Sequence, residues 1–397
     1  MRAVTCHDGR LAVTEVPTPA PGPGQLLLAV TRCGICGSDL HARTNADASA
    51  DIAAEVGYPH FMRSRDHVVL GHEFTGTVVD YGPGCRRRWP TGRPVVALPA
   101  LRHGGDVHLI GLSERAPGGY AEYVVVAEDV TMPVPDGLAP DLAALTEPLA
   151  VAHHAVRRGQ VGRRDVAVVI GCGPIGLAVI LMLKAAGVRT VVASDFSPGR
   201  RALARRCGAD VVVDPGAESP WESYGERGGH IRRAPEYFGL ALDTMHALRR
   251  VPRVPWWQVI RSAERLGAGP RGPVVFECVG VPGVIEQLVT GAPYLSRIVV
   301  VGVCMPPDTF RPAMAVNKEL DLRFAFCYDP AEFRAALHLM ADGRVDARPL
   351  VTGTVGLGGV AAAFEALAGT PEHAKILIDP ASPALLPPAG RSDPPVG

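Results

Sequence analysis

The stretch VAVVIGCGPIGLAVILMLKAAG, residues 166–187, constrains this chain more than any other. From Val166 to Leu183 it carries no charge, a run long enough to pass for a membrane span. Its glycines exclude that. Gly171, Gly173 and Gly176 follow an apolar β-run and head a helical one, the spacing of a dinucleotide-binding turn in its required context. Gly171 permits the tight turn, Gly173 lets a pyrophosphate approach the backbone, and Gly176 lets helix and strand pack closely. Pro174 and Ile175 complete the turn, and the helix amides then face the phosphates. Nineteen residues past Gly176, Asp195 ends the next β-run, where a carboxylate can accept both ribose hydroxyls and repel a 2′-phosphate. NAD is therefore expected rather than NADP. Arg200 and Arg201 follow closely and can offset that repulsion, so Arg200 is counted with the cofactor-binding residues.

Around this unit the chain changes character. Residues 1 to about 151 hold short β-rich runs (LLLAV, FTGTVVDYG, PVVALPA, YAEYVVVAE) between Pro/Gly turns, the pattern of an irregular antiparallel β domain. From 152 to 323, apolar β-runs alternate with helical stretches, which builds a doubly wound parallel sheet of about six strands. Its third and fourth strands are separated by an insertion, 215–273, whose GLALDTMHALRR and PWWQVIRSAERL segments have helical spacing and bring Trp256 and Trp257. Residues 324–380 add two amphipathic helices and a last strand, KILID, and complete the first domain; 381–397 is Pro-rich and expected to be disordered. The length of 397 residues suits two or three domains.

Forty basic and forty acidic residues cancel, so no general field draws the chain to nucleic acid or to an anionic membrane, and a small-molecule partner is expected. Nine cysteines, an odd and scattered set, suit a reducing compartment, and MRAVTCHDGR lacks the apolar core of a signal peptide. The expectation is a cytoplasmic protein.

A second constellation begins at CGICGSDLH, residues 33–41. The CxxC of Cys33 and Cys36 suggests half a zinc ribbon or a redox pair, but no second CxxC exists and no thioredoxin-like βαβ pattern surrounds it. GHEF places His72 and Glu73 at the head of a strand, and LTEPLAVAHH offers Glu147 at the domain boundary. One thiolate, one imidazole and one carboxylate make a mixed set that leaves zinc an open position, although spacing alone does not assemble them.

GICGSDLH, GHEFTG, GGYAEY, TEPLAVA and GCGPIG occur here in the order found in the zinc-dependent medium-chain dehydrogenases, and the chain resembles most the sorbitol and threonine dehydrogenase branch over residues 1–214 and 274–380. The resemblance implies a GroES-like β catalytic domain joined to a Rossmann domain, in a homodimer or homotetramer. It implies that Cys36, His72 and Glu147 surround a catalytic zinc and that Glu73 matches an acid able to bind the metal directly. Ser38 and His41 are implied as a proton relay and Asp39 as a support. Chemically, Asp39 can accept the free N–H of a zinc-bound His72 and fix its tautomer; capping a helix is its alternative role, as it is for Ser38. Ser38 can hold and pass a proton, and the His41 imidazole can release it to water. His153 and His154 are expected to pack or cap, and Cys33 to be a core thiol.

Two departures from that family matter. Residues 95–120 lack the four cysteines that hold a structural zinc in many relatives, so a single zinc per chain is expected, with His103 and His108 as surface histidines. NADASADIAAEVGYPHFMRSRDH, residues 45–67, is inserted between Cys36 and His72. The expected chemistry is hydride transfer between an alcohol, secondary or polyol, and NAD. A formaldehyde dehydrogenase or aldehyde dismutase, and a non-catalytic nucleotide-binding protein of the same fold, remain the alternatives.

Overall fold

The structure, a computed structural model, describes residues 1–225, 229–369 and 372–385. It divides into two compact units, Met1–His154 with the chain from Cys327 onward, and Ala155–Phe326.

The first unit opens with the hairpin β1 (Arg2–His7) and β2 (Arg10–Glu15). Its two-residue turn is Asp8-Gly9 with positive φ at both positions, the geometry that matches the twist of antiparallel strands. β3 (Gln25–Gly34) runs into α1 (Gly37–Glu55), and a short β4 (Val68–Val69) precedes β5 (Glu73–Tyr81). Then come β6 (Pro94–Ala97), the hairpin β7 (Ala100–His103) and β8 (Asp106–Leu109), β9 (Tyr123–Ala127) and β10 (Thr131–Pro133). The inserted segment after Asn45 is largely helical: it continues α1 past a kink at Asn45, with Ala46 and Ala50 turned inward. After α2 (Pro140–Ala143), α3 (Thr146–Gly159) leads to the second unit.

That unit holds six parallel strands, β11 (Val166–Ile170), β12 (Thr190–Ser194), β13 (Val211–Val213), β14 (Val274–Glu277), β15 (Arg297–Val300) and β16 (Asp321–Phe324), in the order β13-β12-β11-β14-β15-β16. Numbered within the unit this is 3-2-1-4-5-6, the doubly wound order expected from the alternation. The central strand β11 is an uninterrupted aliphatic run and its neighbour β14 is buried throughout, as expected where helices cover both faces of such a sheet. α4 (Pro174–Ala185) and α5 (Pro198–Arg206) are its first crossovers. The apolar run 166–183 is thus a strand, a turn and a helix, and among the described residues no helix is long and apolar enough to cross a membrane. The insertion forms α6 (Ala234–Arg249) and α7 (Trp256–Arg265), neither with a buried residue; Trp256 lies under the Arg249 guanidinium and Trp257 is exposed. α8 (Val284–Gly291) and α9 (Pro312–Asn317) complete the unit.

The chain then returns to the first unit as α10 (Pro330–Ala341), β17 (Val351–Val355), α11 (Val360–Gly369) and β18 (Lys375–Ile378). β18 joins the first sheet, pairing antiparallel with β3 and parallel with β17. Val360, Ala363 and Phe364 of α11 enter the core of the β domain. Of the Pro-rich end, Ala384 accepts the Gly356 N–H, and residues 386–397 lie outside the described ones.

Candidate active site

β3 carries the centre of the site. Gly34 is level with Glu73 of β5 on one side and with Leu377 of β18 on the other, so two residues further on Cys36 emerges between His72 and Lys375. A Cβ on Gly34 would collide with the Glu73 carboxylate, which is why a glycine stands there. Ligand atoms of Cys36, His72 and Glu73 all lie within 4.8 Å of one another.

Both ring nitrogens of His72 have a close polar neighbour. Its Nδ1 stands 3.3 Å from Asp39 Oδ1, and its Nε2 stands 3.2 Å from Ser38 Oγ. Asp39 is fully buried; its Oδ2 accepts the Cys36 N–H at 2.9 Å and the Tyr120 hydroxyl at 2.6 Å. It therefore caps α1 and supports His72 at once, because the helix begins where the ligand loop ends. Burial favours the neutral acid, yet the His72 charge and these hydrogen bonds outweigh it and hold the Asp39 carboxyl below its ordinary value. Burial likewise opposes a charged His72, but Asp39 and the Cys36 sulfur raise its pKa well above the usual imidazole value. Tyr120, the third residue of GGYAEY, is pushed well up by burial and by Asp39.

Glu73 and Lys375 form a buried ion pair, Oε1 to Nζ at 2.7 Å with side chains 0% and 2% exposed. Lys375 also donates to the Ile35 carbonyl at 3.0 Å. Burial works against its charge; Glu73 and Cys36 keep it protonated, above the ordinary lysine value. Sequence reasoning missed this lysine: KILID reads as a plain terminal strand, and only sheet pairing brings it beside Cys36.

Glu147 is outside the Cys36 grouping. It hydrogen-bonds Tyr328, and burial pushes its carboxyl up to about 7, against the pull of His72. His41 is exposed on α1, one turn beyond Ser38, and among the described residues makes no hydrogen bond to Ser38 or His72. His154 pairs with Glu332 at 2.9 Å on α10, away from the ligand set, and Cys33 is buried in the sheet with its thiol pKa driven well up by burial.

The donor set suits zinc. Sulfur, imidazole and carboxylate ligands are those of catalytic zinc sites, His72 Nδ1 is held by a carboxylate as metal-bound imidazoles usually are, and Glu73 Oε2 is buried with no hydrogen-bond partner.

In the second unit Gly171 has φ +87, open to glycine almost alone, and a Cβ on Gly176 would strike the Gly171 carbonyl. The position above Gly173 is open, and Gly173 caps α4 with Pro174 as its first residue and Ile175 next. Asp195 is 8% exposed; its two carboxylate oxygens accept the Cys172 and Ser197 N–H groups, each at 2.7 Å. Arg200 Nη1 lies 4.0 Å from Asp195, while Arg201 binds the Asp195 and Phe196 carbonyls.

Comparison with known proteins agrees with both halves. Residues 22–136 match the profile of the alcohol dehydrogenase GroES-like domain, and residues 174–231 that of the zinc-binding dehydrogenases. The chain is 32% identical over 391 residues to (R,R)-butanediol dehydrogenase of Bacillus subtilis, covering 96% of this chain and 100% of that protein. The chain belongs to the zinc-dependent medium-chain alcohol dehydrogenase family. It is 27% identical to bovine sorbitol dehydrogenase over 368 residues, 90% of each. Among solved structures, the B. subtilis 2R,3R-butanediol dehydrogenase superposes with a TM-score of 0.72 at 30% identity (96% of this chain, 99% of that one). A zinc-binding dehydrogenase of Sinorhizobium meliloti bound to NADP gives 0.73 at 25% identity over the same shares. This dehydrogenase is accordingly an oxidoreductase acting on CH–OH donors.

One expectation about it needs correction. His103 is exposed on its hairpin, but His108 is 1% exposed, because its strand turns that side chain inward toward His60 of the inserted segment.

Proposed function

We propose that this dehydrogenase oxidises a secondary alcohol, with vicinal diols and polyols as the substrate class, using NAD, and reduces the matching ketone in reverse. The observation that carries this is the Cys36–His72–Glu73 grouping with Ser38 on the outer nitrogen of His72, in a chain whose full-length relative acts on (R,R)-butanediol. Cys36 and His72 would hold the zinc, with Glu73 or Glu147 contributing a carboxylate; bound there, the ion supplies Lewis acidity that lowers the pKa of a hydroxyl. The nicotinamide supplies the hydride acceptor.

The chain's own residues do the rest. Asp39 and Tyr120 hold the His72 ring in one orientation. Lys375 neutralises Glu73, so the pocket carries one fewer negative charge. Ser38 Oγ takes the hydroxyl proton and passes it through water to the exposed His41. Gly171, Gly173, Pro174, Ile175 and Gly176 receive the pyrophosphate at the head of α4, and Asp195 favours the unphosphorylated ribose. Arg200, at the edge of Asp195, borders the same ribose.

In this reading 1–151 with 324–380 is the catalytic domain and 152–323 the NAD-binding one, in a cytoplasmic homodimer or homotetramer. The test is NADH formation with vicinal diols, polyols, simple secondary alcohols and primary alcohols. Diols or polyols should give the highest kcat/KM, and Cys36→Ala and His72→Ala should lose metal and turnover together. Formaldehyde dismutation without net NADH, or tight NAD and zinc binding with no turnover on any alcohol, would overturn the proposal.

A further inference from the structure

The first unit holds a second grouping of metal-ligating side chains, which shares no residue with the Cys36 site. His60, Asp106 and His108 present ligand atoms that lie within 4.8 Å of one another. His60 comes from the segment inserted between Cys36 and His72; the other two come from β8. Asp106 and His108 are two apart on one strand and so share a face, and His103 is the cross-strand partner of Asp106 on that face.

We propose that His60, Asp106 and His108 bind a divalent transition ion of the zinc type, which clamps the inserted segment to the β7–β8 hairpin. His108 carries the argument. It is 1% exposed, its Nδ1 is 2.9 Å from Ser113 Oγ, and its Nε2 is buried without a hydrogen-bond partner. A buried ring nitrogen left bare is costly in a folded protein unless something absent from the polypeptide satisfies it. With Nδ1–H donating to Ser113, Nε2 keeps its lone pair outward, the arrangement in which a second hydrogen bond orients a ligating imidazole.

The neighbours fit. His60 Nε2 lies 3.5 Å from Asp106 Oδ2, too long for a hydrogen bond but near the ligand-to-ligand edge of about 3.3–3.5 Å that zinc bonds of about 2.0–2.1 Å imply. The His60 and His108 rings stand 4.5 Å apart, centre to centre. Burial, then the positive neighbours His60, His103 and Arg115, lowers the His108 pKa and leaves the neutral ring that a metal needs. Two imidazoles and one carboxylate are ligands for zinc or its first-row neighbours rather than for calcium. The backbone already brings the two segments together: the Leu109 N–H donates to the Tyr58 hydroxyl and the Met62 N–H to the Leu112 carbonyl, each at 2.9 Å. The ion would close that contact on its remaining side, where His60 and Asp106 reach the surface.

The test is metal stoichiometry on the full-length protein. After chelator treatment, titration with Zn2+ and washing, elemental analysis should find two ions per chain. His60→Ala and Asp106→Asn, both partly exposed and outside the proposed catalytic set, should each reduce this to one while keeping alcohol turnover. Replacing His108 itself risks unfolding the hairpin, so the exposed members serve as the probes. Cys36→Ser should also bind one ion, now at His60 and His108. With Co2+ that variant should lack the near-ultraviolet sulfur charge-transfer band that a thiolate site gives. One ion per chain in the native protein, or two in both His60→Ala and Asp106→Asn, would overturn the proposal.

Discussion

Replacing Lys375 by Met removes the positive half of a pair whose members are 2% and 0% exposed. The remaining Glu73 carboxylate would keep one oxygen already without a partner and lose the Lys375 bond to the other. Breaking a buried ion pair from one side costs about 3–5 kcal/mol, because an uncompensated charge stays in low dielectric. For a unit of this size each kcal/mol moves Tm by roughly 2–4 °C, so the first unit should melt about 6–20 °C lower. The assay is thermal unfolding of Lys375→Met, Glu73→Gln and the double variant in one buffer, each with and without zinc. The double variant buries no charge and should recover most of the loss, giving a coupling of several kcal/mol in the metal-free cycle. If Lys375→Met melts within about 2 °C of the parent with metal removed, or the double variant is no more stable than the single one, the pair is not holding a buried charge and this account of the site is wrong.

Three further outcomes are expected. Asp39→Asn should weaken zinc affinity about 10–100-fold by releasing the His72 ring. In the metal-free protein the raised His72 pKa contributes stability that is complete below its ordinary 6.5 and lost as pH rises through the raised value. The lowered Asp39 pKa contributes stability present above its ordinary 3.8 and lost as pH falls through the lowered value, so urea unfolding from pH 3 to 9 should show both slopes in the parent, while Asp39→Asn loses the acid one and keeps a shallower His72 one, because Cys36 remains beside the ring. Ser38→Ala should lower kcat by about 10²–10⁴ with bound zinc unchanged, and loss of the metal as well would point to a structural role instead. Asp195→Gly should narrow the preference for NAD over NADP by about five- to a thousandfold, since two charges about 4 Å apart interact by about 1–4 kcal/mol. It should also raise the KM for both, because the Cys172 and Ser197 amides lose their acceptor; an unchanged cofactor ratio would show that Asp195 only shapes the loop.

The doubly wound unit was legible because its signals are local. A glycine turn between an apolar strand and a helix needs only neighbours in sequence, and it sits where the strand order reverses, on the first strand of the doubly wound sheet. The family motifs pointed to Cys36, His72 and Glu147, with Glu73 as an acid able to bind the metal, whereas the folded chain groups Cys36 and His72 with Glu73 and leaves Glu147 outside that grouping. Residues 46–55 carry five alanines, a composition that favours the helix they form, yet in the sequence they stand out only as an insertion between Cys36 and His72. Lys375 was hidden because one lysine in a four-residue strand looks like any edge residue.

Sequence alone determined where strands, turns and helices alternate, and hence the two-part plan and the cofactor turn, because those choices depend on contacts a few residues apart. Tertiary structure decided the rest. Only the pairing of β3 with β5 and β18 places Cys36 between His72 and Lys375 and commits Glu73 to an ion pair. Only the packing of the inserted segment against the β7–β8 hairpin buries His108 beside His60. Charge and metal affinity depend on what surrounds a side chain in space, and those neighbours arrive from up to some three hundred residues away in the chain.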